Sequence, residues 1–357
     1  MKLFVNLTII LLAIMVCNVS AAETKLNGRL YTNWNLDMTD GAESANSFNV
    51  ERAYMTIKSK LSDNISARIT TDIRETDVDG KTRYDIILKY GYFDWKPKFA
   101  DGKMKVRFGL HATPYTDVMN KYWGRRYMLK TASDLHKFLT SSDLGAGFIL
   151  GVGPKGKLGT ASIHIFNGTS YSSTTEMNSR KDINAYLSLN PLTKNENLKR
   201  SKLHGQVYIG TQNDEIDENE EASAYKKELV SVGGMLGYQK TLDIGFDFNF
   251  VTLGEGYNDS GVELDETKSS ALSFFSTLYL SDLVEDESFL RNLNFFGRYD
   301  MYDPNTDADD DAEKLFVIGA ECTPVKGFKA SVNYRTESFD DNSPSESGLY
   351  VNTLFKF

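Results

Sequence analysis

Hydrophobic and polar residues alternate along most of this chain. In residues 26–37, Leu26, Leu30 and Trp34 share one face, and Arg29 and Asn33 share the other. A period of two is typical of a β-strand whose two faces meet different surroundings. Repeated along the chain, this pattern predicts sixteen strands. They are 26–37, 48–60, 65–74, 83–96, 103–112, 143–153, 157–167, 181–190, 201–211, 227–239, 242–253, 268–281, 292–302, 314–323, 327–337 and 345–357.

The pattern is ambiguous in residues 272–280 and 315–321, so fourteen or eighteen strands also fit the sequence. The connections between predicted strands alternate in length. Short ones include 62–64, 154–156, 240–241 and 324–326, and long ones include 38–47, 76–82, 113–142, 168–180, 212–226, 254–267 and 303–313. Bacterial outer-membrane barrels have short periplasmic turns and long external loops. The sequence therefore predicts an all-β protein, a transmembrane antiparallel β-barrel with both termini on the periplasmic side.

The first 21 residues have the pattern of a secretory signal peptide. Lys2 is followed by an apolar run over residues 3–16 and small residues before Ala22. The apolar run is shorter than the roughly 20 residues of a spanning helix. An uncleaved anchor and a lipoprotein modified at Cys17 are the alternatives. We expect residues 1–21 to be removed and residues 22–357 to form a single barrel domain.

The remaining chemistry gives little sign of an enzyme or a metal protein. Without the leader, Cys322 is the only cysteine, and the four histidines lack the spacing of a zinc site. His164 and Ser162 are the only pair that suggests a base beside a nucleophile, and polar lumen lining explains them equally well. The glycine pattern at 151–156 precedes a predicted strand, so it indicates a turn and not a dinucleotide site. We expect no catalysis, no cofactor and no metal, and we interpret the acidic stretches 214–221 and 303–311 as solvated loops.

One connection, residues 113–142, differs from all the others. It is about thirty residues long, does not alternate, and is rich in aromatic and basic side chains. Connections of this length without structure of their own are uncommon and usually functional. We predict that this third external loop folds into the barrel mouth and narrows it. The predicted constriction residues are Lys121, Tyr122, Trp123, Arg125, Arg126 and Lys130.

The lumen-facing positions of the first strands are mostly basic. The predicted pore-lining residues are Arg52, Arg68, Arg74 and Arg107. Rings of arginine and lysine suit pores for anions or phosphate. The formal net charge of −9, which becomes −10 without Lys2, opposes this preference, but much of the acid lies in predicted loops. Charge there is screened over a Debye length of about 8 Å. Alternatively, these cations lie at the membrane interface, or they only pair with acids such as Asp117 and Asp134.

The chain also resembles a known family. Residues 26–73, the motif from Pro114 through residues 123–127 to residues 142–145, and the terminal Phe357 resemble the phosphate-selective porins of Gram-negative outer membranes and their porin-like relatives. The resemblance implies a sixteen-stranded barrel and a homotrimer. Its expected partners are outer-membrane lipid, lipopolysaccharide and small anionic or neutral solutes, with no nucleic acid. We expect passive diffusion of small hydrophilic solutes with a mild anion preference; a plugged barrel acting as an adhesin or structural protein is the alternative.

Overall fold

The computed structural model describes residues 23–42, 44–78, 80–173, 180–213, 223–258, 266–284, 289–341 and 343–357. The predicted leader, residues 1–21, and the acidic stretch 214–221 lie outside these ranges. Within them, sixteen antiparallel strands close into one barrel in which each strand pairs with its sequence neighbours. Fourteen- and eighteen-stranded arrangements are therefore excluded, and the predicted count of sixteen is confirmed.

The strands follow the predicted order. They are β1 (Glu23–Asp37), β2 (Asn46–Lys60), β3 (Ile65–Val78), β4 (Lys81–Trp95), β5 (Met104–Ala112), β6 (Ser142–Val152), β7 (Gly159–Phe166), β8 (Asp182–Leu189), β9 (Lys202–Asn213), β10 (Ser223–Tyr238), β11 (Leu242–Asn258), β12 (Thr267–Tyr279), β13 (Leu293–Asp303), β14 (Glu313–Val325), β15 (Phe328–Phe339) and β16 (Glu346–Lys356). The barrel closes where β1 pairs with β16, and the backbone N–H of Gly28 donates to the carbonyl of Phe357 at 2.8 Å.

The two faces of the sheet carry opposite kinds of side chain. Large apolar side chains such as Phe48, Ile86 and Phe250 are exposed on the outer face. Polar side chains such as Asn249 and Asn333 are buried on the inner face. Apolar-out and polar-in alternation is the arrangement of a barrel surrounded by lipid. In the part of the chain that the structure describes, no helix has the length and apolar character needed to cross a membrane.

Residues 113–141, here called the lumen segment, contain two helices that the sequence analysis did not predict. Helix α1 is Pro114–Trp123 and helix α2 is Ala132–Leu135. Proline in the first turn suits a helix start because its missing N–H has no partner there in any case. Gly124 follows α1 with φ of +68°, the left-handed conformation that commonly ends a helix.

The lumen segment packs against the inner wall of the barrel in two apolar clusters. The first joins α1 and the residues after it to wall side chains that include Tyr186, Phe275, Phe296 and Leu354. The second joins Ala132, Phe138 and Leu139 to the wall between β7 and β12. Because these wall residues occupy lumen-facing positions, the segment lies inside the barrel and leaves only part of the cross-section open.

Candidate functional site

Helix α1 has one face buried against strands on the far side of the barrel. Tyr115 and Met119 are fully buried. The Tyr115 hydroxyl donates to Asp247 on β11 at 2.8 Å, and its ring stacks on His204 of β9 at 4.5 Å. Trp123 packs edge-on against Phe275 and Phe296. Aromatic pairs at these separations are favourable beyond the area they bury, so this face holds α1 in place.

Hydrogen bonds to the wall continue after α1. The Tyr127 hydroxyl donates to Glu321 of β14 at 2.8 Å. Arg125 forms an ion pair with the same carboxylate at 3.5 Å and donates to Thr277 at 2.8 Å. Two wall arginines donate to backbone carbonyls of the segment, Arg335 to Met128 at 3.0 Å and Arg298 to Lys130 at 2.6 Å. The segment is therefore anchored on β11, β12, β13, β14 and β15.

The opposite face of α1 carries two charged and partly exposed side chains, Asp117 and Lys121. They form an ion pair with each other at 2.7 Å. Asp117 acts electrostatically on Lys58 of β2 and on Arg107 of β5. Lys121 also acts on Lys58. This face of α1 is therefore opposite the wall formed by the first strands, across the part of the lumen that the segment leaves open.

That wall is predominantly basic. Lys58 and Arg68 are direct cross-strand neighbours on β2 and β3, and Arg29 interacts electrostatically with Lys58. Among the described residues, the charged side chains that interact within this wall and with α1 include six bases and two acids. They are Arg29, Lys58, Arg68, Lys105, Arg107 and Lys121 against Asp94 and Asp117.

Some of this charge is paired and some is not. Arg107 binds both oxygens of Asp94, at 2.7 and 2.8 Å, and Lys105 is 3.5 Å from the same carboxylate. Arg29, Lys58 and Arg68 have no carboxylate within 4.0 Å in the described part of the chain. Two arginines lie over tyrosine rings, Arg68 at 4.3 Å from Tyr90 and Arg107 at 4.0 Å from Tyr92. The guanidinium planes therefore line the opening at fixed positions.

The six predicted constriction residues fall into three groups. Lys121 is exposed on the free face of α1, and Tyr122 lies edge-on to His204 at 5.1 Å. Arg126 forms an ion pair with Asp134 at 3.3 Å, and Lys130 is half-buried, where burial lowers the pKa of its amine. Trp123 and Arg125 differ from the expectation. They are 1% and 3% exposed because they pack against the wall, so they hold the segment and do not face the opening.

The four predicted pore-lining residues all lie on the early wall. Arg68 and Arg107 border the opening as described. Arg52 forms an ion pair with the buried Asp72, and Arg74 lies 5.7 Å from the ring of Tyr171. Alternation also placed Arg29 and Lys58 on the lumen face, but their role beside the opening depends on where α1 lies. Only the position of α1, which was not predicted from the sequence, places these two residues beside the opening.

The histidine and serine considered as a catalytic pair do lie together, with 3.1 Å between His164 Nε2 and Ser162 Oγ. The other ring nitrogen of His164 is buried without a hydrogen-bond partner in the residues that the structure describes. A nucleophile and base need a third group that orients the base, and this pair has none among those residues. The described ranges also contain no cluster of three or more histidine, cysteine or acidic side chains able to hold a metal ion.

The profile of one protein family, phosphate-selective porin O and P, matches residues 24–225. The chain belongs to this family. The match spans more than half of the sequence and includes the basic wall and the lumen segment. It therefore confirms the resemblance noted from the sequence. No curated protein matches this porin by sequence.

Solved structures share the fold at low sequence identity. OmpT of Vibrio cholerae aligns with a TM-score of 0.64 at 10% identity, covering 95% of this chain and 99% of OmpT. The outer membrane channel DcaP of Acinetobacter baumannii gives 0.63 at 12% identity, covering 94% and 97%. The anion-selective porin of Comamonas acidovorans gives 0.61 at 11%, covering 94% and 100%. The family and the closed barrel together make this protein an outer-membrane channel.

Proposed function

We propose that this porin lets small hydrophilic solutes diffuse across the outer membrane and prefers anions, including phosphate-like ones. The observation that carries the proposal is the excess of basic side chains around the opening between α1 and the early wall. Rings of arginine and lysine select anions. Passive diffusion involves no chemical reaction, so pore width and fixed charge determine which solutes pass.

The distribution of charge explains how an acidic protein can prefer anions. Arg29 and Lys58 are solvent-accessible, and Lys58 interacts electrostatically with Asp117 and Lys121 of α1. Exposed acids such as Asp309 and Asp310 lie in the connection between β13 and β14. Surface charge beyond about 8 Å is largely screened at physiological salt, whereas charge next to a low-dielectric wall is screened less. A permeating ion therefore responds mainly to the wall cations.

We further propose a homotrimer in contact with lipid and lipopolysaccharide. One structural neighbour with the same architecture, OmpT of Vibrio cholerae, is described in a trimer form. The outer face of this barrel is apolar along all its strands, as a lipid-facing surface requires. Chemical crosslinking in membranes followed by gel electrophoresis tests this assembly, and a band at the monomer mass alone would contradict it.

The experiment that tests the anion preference is a reversal-potential measurement in a planar bilayer under a KCl gradient. We expect a chloride preference for the wild type. The double substitution Lys58→Glu with Arg68→Glu should move the potential towards potassium. The matched control is Lys98→Glu with Lys326→Glu, which makes the same charge change on exposed turn residues away from the opening.

Two results would contradict the proposal. A wild-type potassium preference would mean that carboxylates control the opening, and an unchanged potential in the Lys58 and Arg68 variant would remove that wall from the filter. The packing of the lumen segment across the barrel favours one other function, a plugged adhesin or structural barrel. Absence of conductance from a correctly folded protein would support that alternative.

A further inference from the structure

We infer that the pocket occupied by Tyr171 is a binding site for phenolic carboxylates, and that Tyr171 must be displaced when such a solute binds. Tyr171 belongs to the connection after β7. Its side chain reaches across to β2, β3 and β4, three to five strands away around the barrel. The inference rests on the proposed function in one respect, since anions must reach this site through the lumen.

The contacts of Tyr171 define the recognition elements. Its hydroxyl donates to Asp72 Oδ2 at 3.1 Å and lies 3.3 Å from Arg52 Nη1, which can donate to the phenol oxygen. Lys89 Nζ lies 4.1 Å from the ring centroid, and the Arg74 guanidinium lies 5.7 Å from it. The phenol hydroxyl is therefore held by one carboxylate and one guanidinium, and two further cations lie near the ring.

Among the described residues, the charged side chains that Tyr171 meets are three bases and one acid, Arg52, Arg74 and Lys89 against Asp72. Arg52 is paired with Asp72, but Arg74 has no carboxylate within 4.0 Å in the described residues. Lys89 is buried and donates to Ser141 Oγ at 2.8 Å. Asp72 and Asp134 offset Lys89, and Arg126 adds to its positive surroundings. A neutral tyrosine gives Arg74 no anionic partner, whereas a phenol that also carries a carboxylate would provide one.

There is open space beside two of the side chains that Tyr171 meets, Arg52 and Arg74. A cavity of about 410 Å³ is lined by Arg52 and Arg74 together with Asn49, Val50, Thr76 and two acids, Glu51 and Glu75. Apolar cavities of about 150 Å³ are large enough for benzene. Both lining acids accept hydrogen bonds from neighbouring side chains, Glu51 from Asn33 at 2.6 Å and Glu75 from Tyr84 at 3.0 Å. A ring that took the place of the Tyr171 side chain would therefore have space for a carboxylate on the side of the two arginines.

The class of ligand follows from the group that occupies the pocket now. The para-hydroxyl of a 4-hydroxyphenyl ring would take the place of the Tyr171 hydroxyl between Asp72 and Arg52. A carboxylate on the same ring would lie within reach of Arg74 and Lys89, the groups that Tyr171 meets with only its ring face. Charged hydrogen bonds of this kind are stronger than neutral ones. Aliphatic carboxylates lack the ring, and simple phenols lack the charge.

The test uses purified full-length channels and 4-hydroxybenzoate as the probe. Binding is measured as saturable block of chloride current and, separately, by isothermal titration calorimetry in detergent. Cyclohexanecarboxylate is the matched probe, with the same charge but no aromatic ring or hydroxyl. We expect 4-hydroxybenzoate to bind at least about tenfold more tightly than cyclohexanecarboxylate. Tyr171→Ala should tighten the binding of 4-hydroxybenzoate by about tenfold, because the competing side chain is gone.

Further variants separate the parts of the site. Arg74→Gln should weaken the binding of 4-hydroxybenzoate. Tyr171→Phe should bind it with an affinity between those of the wild type and Tyr171→Ala, because it keeps the ring but loses the hydroxyl. Tyr238→Ala, which removes an exposed tyrosine at the end of β10, is the control for a lost phenol. Equal affinity for the two carboxylates, or no change in Tyr171→Ala, would overturn the inference.

The outcomes also separate this inference from the proposed function. A chloride-preferring channel that treats 4-hydroxybenzoate and cyclohexanecarboxylate alike would retain the proposed function and reject the phenolic site. A potassium-preferring channel in which calorimetry still detects the tighter binding, strengthened in Tyr171→Ala, would reject the anion preference and retain the site.

Discussion

Glu321 anchors the lumen segment although it does not border the opening, and replacing it by glutamine should loosen that segment. The carboxylate is 1% exposed. Four donors surround it: Tyr127 at 2.8 Å, Lys329 at 2.9 Å, Asn294 at 3.4 Å and Arg125 at 3.5 Å. Glutamine has a similar shape, but its amide offers one acceptor oxygen and brings donors of its own. At least one of the present donors would therefore lose its partner.

The size of the effect follows from which donor is left. Removing one partner of a buried ion pair costs about 3–5 kcal/mol, because the remaining charge is uncompensated. Arg125 is 3% exposed and meets this condition, whereas Lys329 is partly exposed and can turn to water. We therefore use the lower end, about 3 kcal/mol, which raises the population of an undocked segment by about 150-fold. The barrel itself should remain folded, because its strands keep their pairing.

Single-channel recording and limited trypsin digestion measure this change. In Glu321→Gln we expect larger open-channel current fluctuations, and faster cleavage after Arg125, Arg126 and Lys130. Glu337→Gln is the matched control, a lumen-facing carboxylate on β15 without an ion pair in the described residues. Current noise and cleavage rates in Glu321→Gln equal to those of the control would refute the reasoning.

Three further predictions concern the same segment. Tyr115→Phe removes the hydrogen bond to the buried Asp247, and losing a hydrogen bond to a charged acceptor costs roughly 1.5–3 kcal/mol. We expect faster hydrogen exchange in α1. Unchanged exchange would contradict this expectation. Gly233→Val would crowd α1, because even a Cβ atom there lies 2.7 Å from Met119 Sδ and from Tyr115 Oη; we expect altered conductance with a heat-stable barrel, and wild-type conductance would be the opposing result. His136 stacks on Tyr302 at 3.8 Å, and burial lowers the pKa of its imidazole to about 4. The docked segment therefore contains neutral His136. This contribution to docking of residues 132–141 is fully present above the ordinary pKa near 6.5 and is lost as pH falls through about 4. Hydrogen exchange of these residues should accelerate between pH 7 and 4 in the wild type but not in His136→Phe.

The barrel was predictable from the sequence because its determinants are local. Alternation with a period of two requires only near neighbours, and it predicted sixteen strands, with their faces ambiguous in residues 272–280 and 315–321. The two regions of ambiguous parity, 272–280 and 315–321, are strands whose inner face is partly apolar. Ala271, Phe275 and Val317 lie on that face because the lumen segment packs on them. The ambiguous alternation therefore has a structural cause, because this part of the inner wall contacts the lumen segment and not water.

The lumen segment was only partly predictable because its partners are distant in sequence. Its unusual composition marked it, and Pro114 and Gly124 are helix start and stop signals that could have indicated α1. Nothing near Tyr127 or Arg125 in the sequence points to Glu321, nearly two hundred residues later. For that reason the sequence could not tell Arg125, which anchors the segment, from Lys121, which is exposed beside the opening.

The lumen segment also has a consequence for the order in which this protein matures. Tyr127 packs edge-on against Tyr31 of the first strand and belongs to the same cluster as Leu354 of the last. These three groups are far apart in the sequence, and the last belongs to the strand that pairs with β1 to close the barrel. The interior contacts can therefore be completed only when the barrel closes. Barrel closure and docking of the lumen segment, which sets the inner diameter, are therefore completed together. A chain that lacked β16 could complete neither of them.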